Sequence, residues 1–429
     1  MDLLVQANLL QDIPRDDVDA EYDRRRLDEL DDHRLVEAVA SVIGVPRDRY
    51  TAGEDSFVLH APLELLARAA LLPYVAPDAR TGARRRIVAI AARYEAAGPP
   101  VGVPRSASFG STDAAGGALM DAVARGELDD VDAIAAWLGR RARPDELARL
   151  LGDAVLPLLG AAGHANIYLA LLTRTQPRGL GDSMLRHPVR ELAKEPGRHI
   201  ALPPFRTAER DDWTVASLLE ALARVAPIGP PDPLFIAPIV ERAQSGGAFD
   251  AFLGDDGSFA APRATPFGLL RFAAQTMLQG PPVHVPFGWT HCLTLAQAPL
   301  LLSGVDRARA TFVATAYLAS HWADLGSGRM DLAFQPGPSP LELDEALVVS
   351  PGAAAAAAWH APSASAVAST LATRALLNRD AHRVKYTLAC FDAVATDPGH
   401  APLYLAAAAY LSAWWDTAAG DTREFTGSA

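Results

Sequence analysis

Helical periodicity is the feature of this sequence that most limits its fold. Apolar residues recur every three to four positions in one segment after another, while the period-two alternation of a β-strand is almost absent. Such spacing places apolar side chains on one face of an α-helix. The pattern therefore predicts an all-α protein. The segments that carry it are 28–42, 83–97, 144–158, 164–172, 213–225, 267–278, 291–302, 307–322, 364–377, 381–395 and 403–415.

Composition favours the same fold class. Half of the 429 residues are hydrophobic and aromatic residues make up only 7%, a mixture that favours closely packed helices over sheets. Long connections rich in proline and glycine join the helical segments, among them 98–112, 175–210 and 326–340. Loops of this length are usually lids, binding loops or disordered segments, and we expect several of them to wall a central cavity. No linker or internal repeat is visible, which predicts a single domain over 1–429 with an irregular, loop-rich segment at about 175–210.

The charge pattern limits the partners of the chain. Its formal net charge is −12 and no dense stripe of lysine and arginine is present, which argues against a nucleic-acid partner. The first residues lack the basic segment and apolar core of a secretory signal. No uninterrupted apolar run reaches the length of about 18 residues that a membrane span needs. Two cysteines, Cys292 and Cys390, do not make a disulfide framework. We therefore expect a cytoplasmic protein that binds neither nucleic acid nor membrane.

The motifs of the common cofactor systems are missing from the sequence. It has no Gly-x-Gly-x-x-Gly after a strand, no Walker loop, no His-Glu-x-x-His and no Gly-x-Ser-x-Gly, which weighs against nicotinamide, flavin, ATP and common serine-hydrolase chemistry. The Glu-x-x-His pair of helical di-iron proteins is absent as well. Any metal site must therefore be rich in histidine.

Lys385 stands out because it is one of only two lysines, the other being Lys194, against 37 arginines. It follows His382 by three positions in an apolar helical segment, and residues three apart share a helix face. Burial favours the neutral amine, which can form a Schiff base, act as a general base, or react with carbon dioxide to give a metal-binding carbamate. A lysine that reaches the surface or pairs with an acid such as Asp380 is the structural alternative.

Histidines form the second group of candidate ligands. One alone in an apolar segment is more often a satisfied core residue than a ligand, but several on separate apolar helices beside a buried lysine indicate a metal site. Imidazole suits iron, zinc, copper and nickel alike, so the residues do not select the metal. Five of the 11 histidines lie where a helix begins or turns apolar: His60, His164, His291, His321 and His382.

The order of these segments resembles that of the questin oxidase-like family. The shared features are a His-x-Pro at 60–62, a Gly-His pair before a helix at 163–164, a Thr-His-Cys-Leu-Thr segment at 290–294 and an Asp-x-His-x-x-Lys pattern at 380–385. Members of that family are all-helical oxygenases of aromatic polyketide metabolism, in which four histidines and a carboxylated lysine bind a mononuclear non-haem iron. The resemblance spans roughly residues 55–415 and rests on short motifs and their order.

The resemblance implies a set of site residues. Tyr168 stands where the family often has arginine, four residues after the second histidine, and Leu171 stands where a further histidine often follows. We expect Tyr168 and His321 at the catalytic centre. The metal ligands that the resemblance implies are His60, His164, His291, His382 and Lys385, the last as its carbamate formed with carbon dioxide.

Such a site implies a function. Four neutral imidazoles and one carbamate would leave Fe(II) with a net charge of about +1 and about one open coordination position. The resemblance implies an iron-dependent oxygenase that uses dioxygen on a small aromatic or quinone-type secondary metabolite, by ring cleavage or Baeyer-Villiger-like oxidation. Another divalent transition metal would fit the same residues. Two other classes stay open, a metal hydrolase built on a carbamylated lysine and a helical binding protein without catalysis.

Overall fold

The computed structural model describes residues 10, 13–174, 184–206, 215–223, 225, 236–260, 265–326 and 329–417. Within these ranges the regular structure is almost entirely helical. The only strands among them are β1 (Phe205–Arg206) and β2 (Phe259–Ala260), which pair in parallel. The prediction of an all-α fold is confirmed.

The backbone contacts of the chain group it into two compact units. The first unit takes the described residues of Met1–Arg198 together with Leu376–Val384. The second takes those of His199–Ala375 and Lys385–Ser428. The single domain expected over 1–429 stays a prediction.

The first unit is a group of helices around a mainly aliphatic core. Its own helices are α1 (Val18–Arg24), α2 (Asp32–Ile43), α3 (Asp55–Leu71), α4 (Arg80–Ala96), α5 (Thr112–Arg125), α6 (Leu128–Gly139), α7 (Pro144–Val155), α8 (Ala165–Arg174) and α9 (Arg186–Lys194). The last residues of α17 (Ala364–Leu377) and the first turn of α18 (Ala381–Thr396) complete the unit. Helix α3 packs against α2, α4 and α8, and α6 packs against α5 and α9.

Local chemistry fixes where several of these helices begin and end. The side chain of Asp31 accepts a hydrogen bond from the Arg34 N–H at the start of α2. The side chain of Ser111 accepts one from the Ala114 N–H at the start of α5. Both are N-cap residues that satisfy an amide without a helical partner. At the end of α5, Gly126 takes the left-handed φ of 68° that ends many helices.

The second unit contains α10 (Val215–Ala223), α11 (Ile236–Ser245), α12 (Thr265–Gln279), α13 (Thr290–Leu301), α14 (Arg307–Leu325), α15 (Leu343–Ala346), α16 (Pro351–Trp359), α19 (Ala401–Thr417), and most of α17 and α18. It is built around α12, which packs against both α14 and α19. Helix α16 packs against α19, and the alanines 354–358 on α16 are buried. Side chains this small let two helix backbones approach closely.

Two of the predicted loops, 326–340 and 175–210, can be compared with the structure. In the second unit, residues 332–335 of the connection 326–340 line a cavity of about 420 Å³, together with side chains of α12 and α19. In the connection 175–210, helix α9 replaces part of the expected irregular structure. Residues 175–183 and 207–210 of that connection lie outside the described residues.

One stretch is apolar enough to be compared with a membrane span. Among the described residues, Ser56–Tyr74 is long and apolar enough to cross a membrane by length and composition alone, but 67% of it is buried inside the protein. Burial of this kind is typical of a core helix. The cytoplasmic location stays a prediction.

Candidate metal centre

His60 lies in the first half of α3, which packs against α8. Its Nδ1 lies 2.6 Å from the carbonyl oxygen of Ser56, one turn earlier. A carbonyl oxygen can only accept a hydrogen bond, so the Nδ1 of His60 donates its proton to it. The imidazole is buried, with 8% of the residue exposed.

His164 is placed by an unusual turn just before α8. Three consecutive residues, Ala161, Ala162 and Gly163, have positive φ angles of 53°, 49° and 77°. For alanine this left-handed conformation is unfavourable, because its Cβ approaches the following carbonyl oxygen. The turn brings the Nδ1 of His164 to 3.0 Å from the carbonyl oxygen of Ala162. This Nδ1 is therefore also protonated.

The two imidazoles meet through their other nitrogens. The Nε2 atoms of His60 and His164 are 3.1 Å apart, and the ring planes are nearly perpendicular at 83°. A neutral imidazole carries one proton, so a ring that is protonated at Nδ1 has a lone pair at Nε2. Two such lone pairs repel one another at this distance. A cation between them, either a metal ion or a proton, removes the repulsion.

The separation of the two Nε2 atoms fits a shared metal ion. A metal–imidazole bond is about 2.0–2.1 Å long. Two such bonds that meet at about 90–109° place their nitrogens about 2.8–3.4 Å apart. The observed 3.1 Å falls within this interval. The backbone carbonyls on both Nδ1 atoms are also the partners that metal-bound histidines commonly have.

His382, also in the first unit, lies close to His60. Its ring centroid is 4.7 Å from that of His60, and a nitrogen of each ring lies within 4.8 Å of the other. Asp380 lies 3.3 Å from the Nδ1 of His382 and accepts the His382 backbone N–H at 2.7 Å. A carboxylate beside Nδ1 is the kind of contact that orients a metal-binding imidazole.

The charge of Asp380 is stabilised where it stands. Burial by itself would raise the pKa of its carboxyl, but His382 and the backbone N–H groups of His382 and Arg383 lower the pKa below its ordinary value overall. Asp380 is therefore an anion beside His382.

Comparison with known proteins does not identify the chain. No family model, no curated protein and no solved structure matches it. The resemblance to the questin oxidase-like family therefore stays a prediction. The chemistry of the site itself carries the functional argument.

Two of the expected ligands, His291 and Lys385, belong to the second unit. His291 lies in the first turn of α13, where its buried ring donates from Nδ1 to the carbonyl oxygen of Phe287. This is the same local arrangement as at His60. Lys385 follows His382 on α18 and is 3% exposed, so its predicted burial is confirmed. The binding of metal by His291 and Lys385 stays a prediction.

The two expected catalytic residues have ordinary structural contacts. Tyr168 lies on α8 one turn after His164, and its hydroxyl donates to the carbonyl oxygen of Met184. Burial raises the pKa of Tyr168 well above its usual value, so the phenol is neutral. His321 is buried on α14 in the second unit, where its Nδ1 lies 2.8 Å from the Tyr317 carbonyl oxygen and burial lowers its pKa. Catalysis by either residue stays a prediction.

Glu64 and Arg68 are polar residues near His60 that were not predicted from the sequence. They follow His60 by one and two turns of α3, and they form a buried ion pair with 2.6 Å between a guanidinium nitrogen and a carboxylate oxygen. The signal was present in the sequence, since His60, Glu64 and Arg68 place polar residues on one face of an otherwise apolar helix.

Proposed function

We propose that this chain is a metalloprotein whose centre includes His60, His164 and His382. The observation that supports the proposal best is the contact of His60 and His164 at 3.1 Å through nitrogens that both carry lone pairs. A divalent transition metal satisfies both nitrogens at once, and neutral imidazole ligands suit iron, zinc, copper and nickel.

We propose further that the bound metal is iron(II) and that the protein is an oxygenase. This step rests on the sequence resemblance, which also supplies the substrate class, a small aromatic or quinone-type molecule. Bound iron(II) would supply the means to activate dioxygen. Burial of the three histidines, each less than 10% exposed, excludes bulk water from the reacting atoms.

The residues of the chain have distinct parts in this proposal. The carbonyl groups of Ser56 and Ala162 fix the tautomers of His60 and His164, and Asp380 fixes the orientation of His382. His291 and the carbamate of Lys385 are proposed as further ligands, the carbamate because it would offset the charge of the metal. The amine of Lys385 can react with carbon dioxide only when it is neutral, which its burial favours.

Oxygen consumption tests the proposed activity. Protein purified without oxygen is loaded with iron(II), and dioxygen uptake is followed after addition of a panel of hydroquinones and hydroxylated anthraquinones. We expect uptake that depends on both iron and an aromatic substrate and that is lost in His164→Ala. The matched control is His187→Leu, which removes another buried histidine of the first unit and should keep the uptake.

The same experiment separates the alternatives. A protein that binds metal but consumes no dioxygen with any member of the panel is not the proposed oxygenase, and a metal hydrolase then becomes the better account. A protein that binds no metal contradicts both, and leaves a helical binding protein.

A further inference from the structure

Arg68 is a fully buried cation on the helix that carries His60. Only 1% of the residue is exposed. Its Nε and Nη2 atoms contact Oε1 of Glu64, one turn earlier on α3, at 2.7 and 2.6 Å. This ion pair offsets the charge of the guanidinium and orients its remaining donors.

Those donors reach the end of another helix. The Nη1 of Arg68 donates to the carbonyl oxygen of Leu376 at 2.6 Å, and Nη2 donates to that of Asn378 at 2.7 Å. Both carbonyls lie at the C-terminus of α17, where carbonyl groups lack helical partners and the helix dipole favours a cation. Arg68 thereby attaches α3 to the connection between α17 and α18.

That connection leads directly to His382. The side-chain oxygen of Asn378 accepts the Asp380 N–H at 2.8 Å. Asp380 in turn accepts the backbone N–H of His382 at 2.7 Å and lies 3.3 Å from its Nδ1. A continuous series of hydrogen bonds therefore runs from Arg68 to His382, and α3 joins Arg68 to His60.

We infer that Arg68 is a positioning residue for the candidate metal centre and sets the spacing between His60 and His382. The inference rests on the proposed metal centre. An arginine is required because its planar fork holds Glu64 and two carbonyl groups at fixed angles, whereas a lysine is a single flexible point charge. The substitution Arg68→Lys keeps the charge and removes the fork.

Cobalt(II) titration tests this inference, because both its affinity and its visible absorption spectrum report on ligand geometry. We expect Arg68→Lys to weaken cobalt(II) binding about 10- to 100-fold, the range seen when groups that orient metal ligands are removed, and to change the spectrum. The matched control is Arg186→Lys. Arg186 forms a comparable fork with the buried Asp132, at 2.8 and 2.7 Å, elsewhere in the first unit. Arg186→Lys should lower the midpoint of unfolding but leave the affinity for cobalt(II) and the absorption spectrum unchanged.

A second variant guards against loss of the fold in Arg68→Lys. The substitution Asn378→Ala interrupts the hydrogen-bond series without burying an unpaired charge, and we expect it to weaken cobalt(II) binding about tenfold. Suppose that the wild type binds cobalt(II) and that Arg68→Lys and Asn378→Ala bind it with an affinity within twofold of the wild type, or lose no more affinity than Arg186→Lys does. Arg68 is then only structural. If the wild type itself binds no cobalt(II), the proposed metal centre fails instead.

Discussion

At the scale of single residues, the chemical state of one lysine carries much of the proposed function. Lys385 is 3% exposed, and burial favours the neutral amine from which a carbamate forms. We expect Lys385→Ala to lose most of its metal and Lys385→Glu to recover part of it, since a carboxylate keeps the charge but is shorter. Lys385→Arg should not recover it, because guanidinium stays protonated. Metal content per chain is the measurement.

The only other lysine supplies the control for this prediction. The ammonium of Lys194 contacts Glu191 and Tyr50 at the protein surface. In protein equilibrated with ¹³C-labelled bicarbonate, we expect a carbamate signal that disappears in Lys385→Ala and persists in Lys194→Ala. Full metal content in Lys385→Ala would show that the residue is structural.

Burial of His187 should make the stability of the protein depend on pH. Burial lowers the pKa of His187 to about 4, with Glu191 and Lys194 acting in opposite directions as smaller influences. Unfolding exposes the ring and returns its pKa to about 6.5. The unfolded chain therefore binds an extra proton between these values, and stability is lost as pH falls from about 6.5 to 4. The loss in the free energy of unfolding over this pH range is about 3 kcal/mol.

The variant His187→Leu removes this titration. We expect its free energy of unfolding, measured with urea at several pH values, to fall less steeply than that of the wild type between pH 6.5 and 4. At neutral pH the two proteins should be of similar stability, because leucine suits a buried position and carries no polar atom to satisfy. Equal slopes would mean that His187 is not the group responsible.

At the scale of secondary-structure elements, Asp380 has two roles that mutation can separate. It accepts the N–H groups of His382 and Arg383 at the start of α18, and it orients the His382 ring. Asparagine is as good an N-cap as aspartate but lacks the charge. We expect Asp380→Asn to change the stability of the metal-free protein by less than about 1 kcal/mol and to weaken metal binding about 10- to 100-fold.

The N-cap of α2 is the control for this substitution. Asp31 accepts the Arg34 N–H in the same way and is not part of the histidine group. Asp31→Asn should leave metal affinity unchanged in the same cobalt(II) titration. An Asp380→Asn protein with the affinity of the wild type would contradict the orienting role.

The left-handed turn before α8 should tolerate glycine in place of alanine without loss of stability. Ala162 has φ 49° and ψ 33°, a conformation that costs a non-glycine residue about 1–2 kcal/mol. Glycine removes this cost but adds about 0.4–1 kcal/mol of unfolded-state entropy. We therefore expect Ala162→Gly to be neutral or up to about 1 kcal/mol more stable in thermal unfolding. Ala118→Gly, inside α5, should lower the free energy of unfolding by about 1 kcal/mol. An equal decrease in both variants would contradict the prediction.

Much of the helical pattern could be predicted from the sequence, because segments such as 307–322 and 364–377 are long, rich in alanine and free of glycine and proline. The predicted helices 307–322 and 364–377 agree closely with α14 and α17. The bounds of α3 and α5 were not predicted, because Pro62 lies inside the first and a Gly-Gly pair inside the second. Tertiary packing outweighs these local preferences.

The candidate site was predictable only in part. Histidine and lysine positions in apolar segments pointed to a buried group, since such residues are rarely left in a core without a partner. The facing nitrogens of His60 and His164 depend on the left-handed turn at Ala161–Gly163. No residue type in that Ala-Ala-Gly segment signals such a turn apart from its glycine. The attachment of Arg68 to α17 joins residues 308 positions apart, which no local pattern reveals.

At the scale of the whole molecule, the metal centre should link distant parts of the chain. His60 and His164 are 104 positions apart, and His382 comes from a third stretch of the same unit. A ligand that binds only the folded state stabilises it by mass action, by about 2.7 kcal/mol at a free concentration 100 times its dissociation constant. The bound metal would therefore contribute to the stability of the first unit as well as to its chemistry.

Metal content per chain is the decisive measurement for the proposed metal centre. Wild-type protein and the variants His60→Ala, His164→Ala, His382→Ala and His187→Leu are loaded with iron(II) or cobalt(II) without oxygen, freed of excess metal and measured by elemental analysis. We expect about one ion per chain in the wild type and in His187→Leu, and less than about a tenth of that in the other three, because each loses a ligand. A wild type without metal, or full occupancy in His60→Ala and His164→Ala, would contradict the proposed centre.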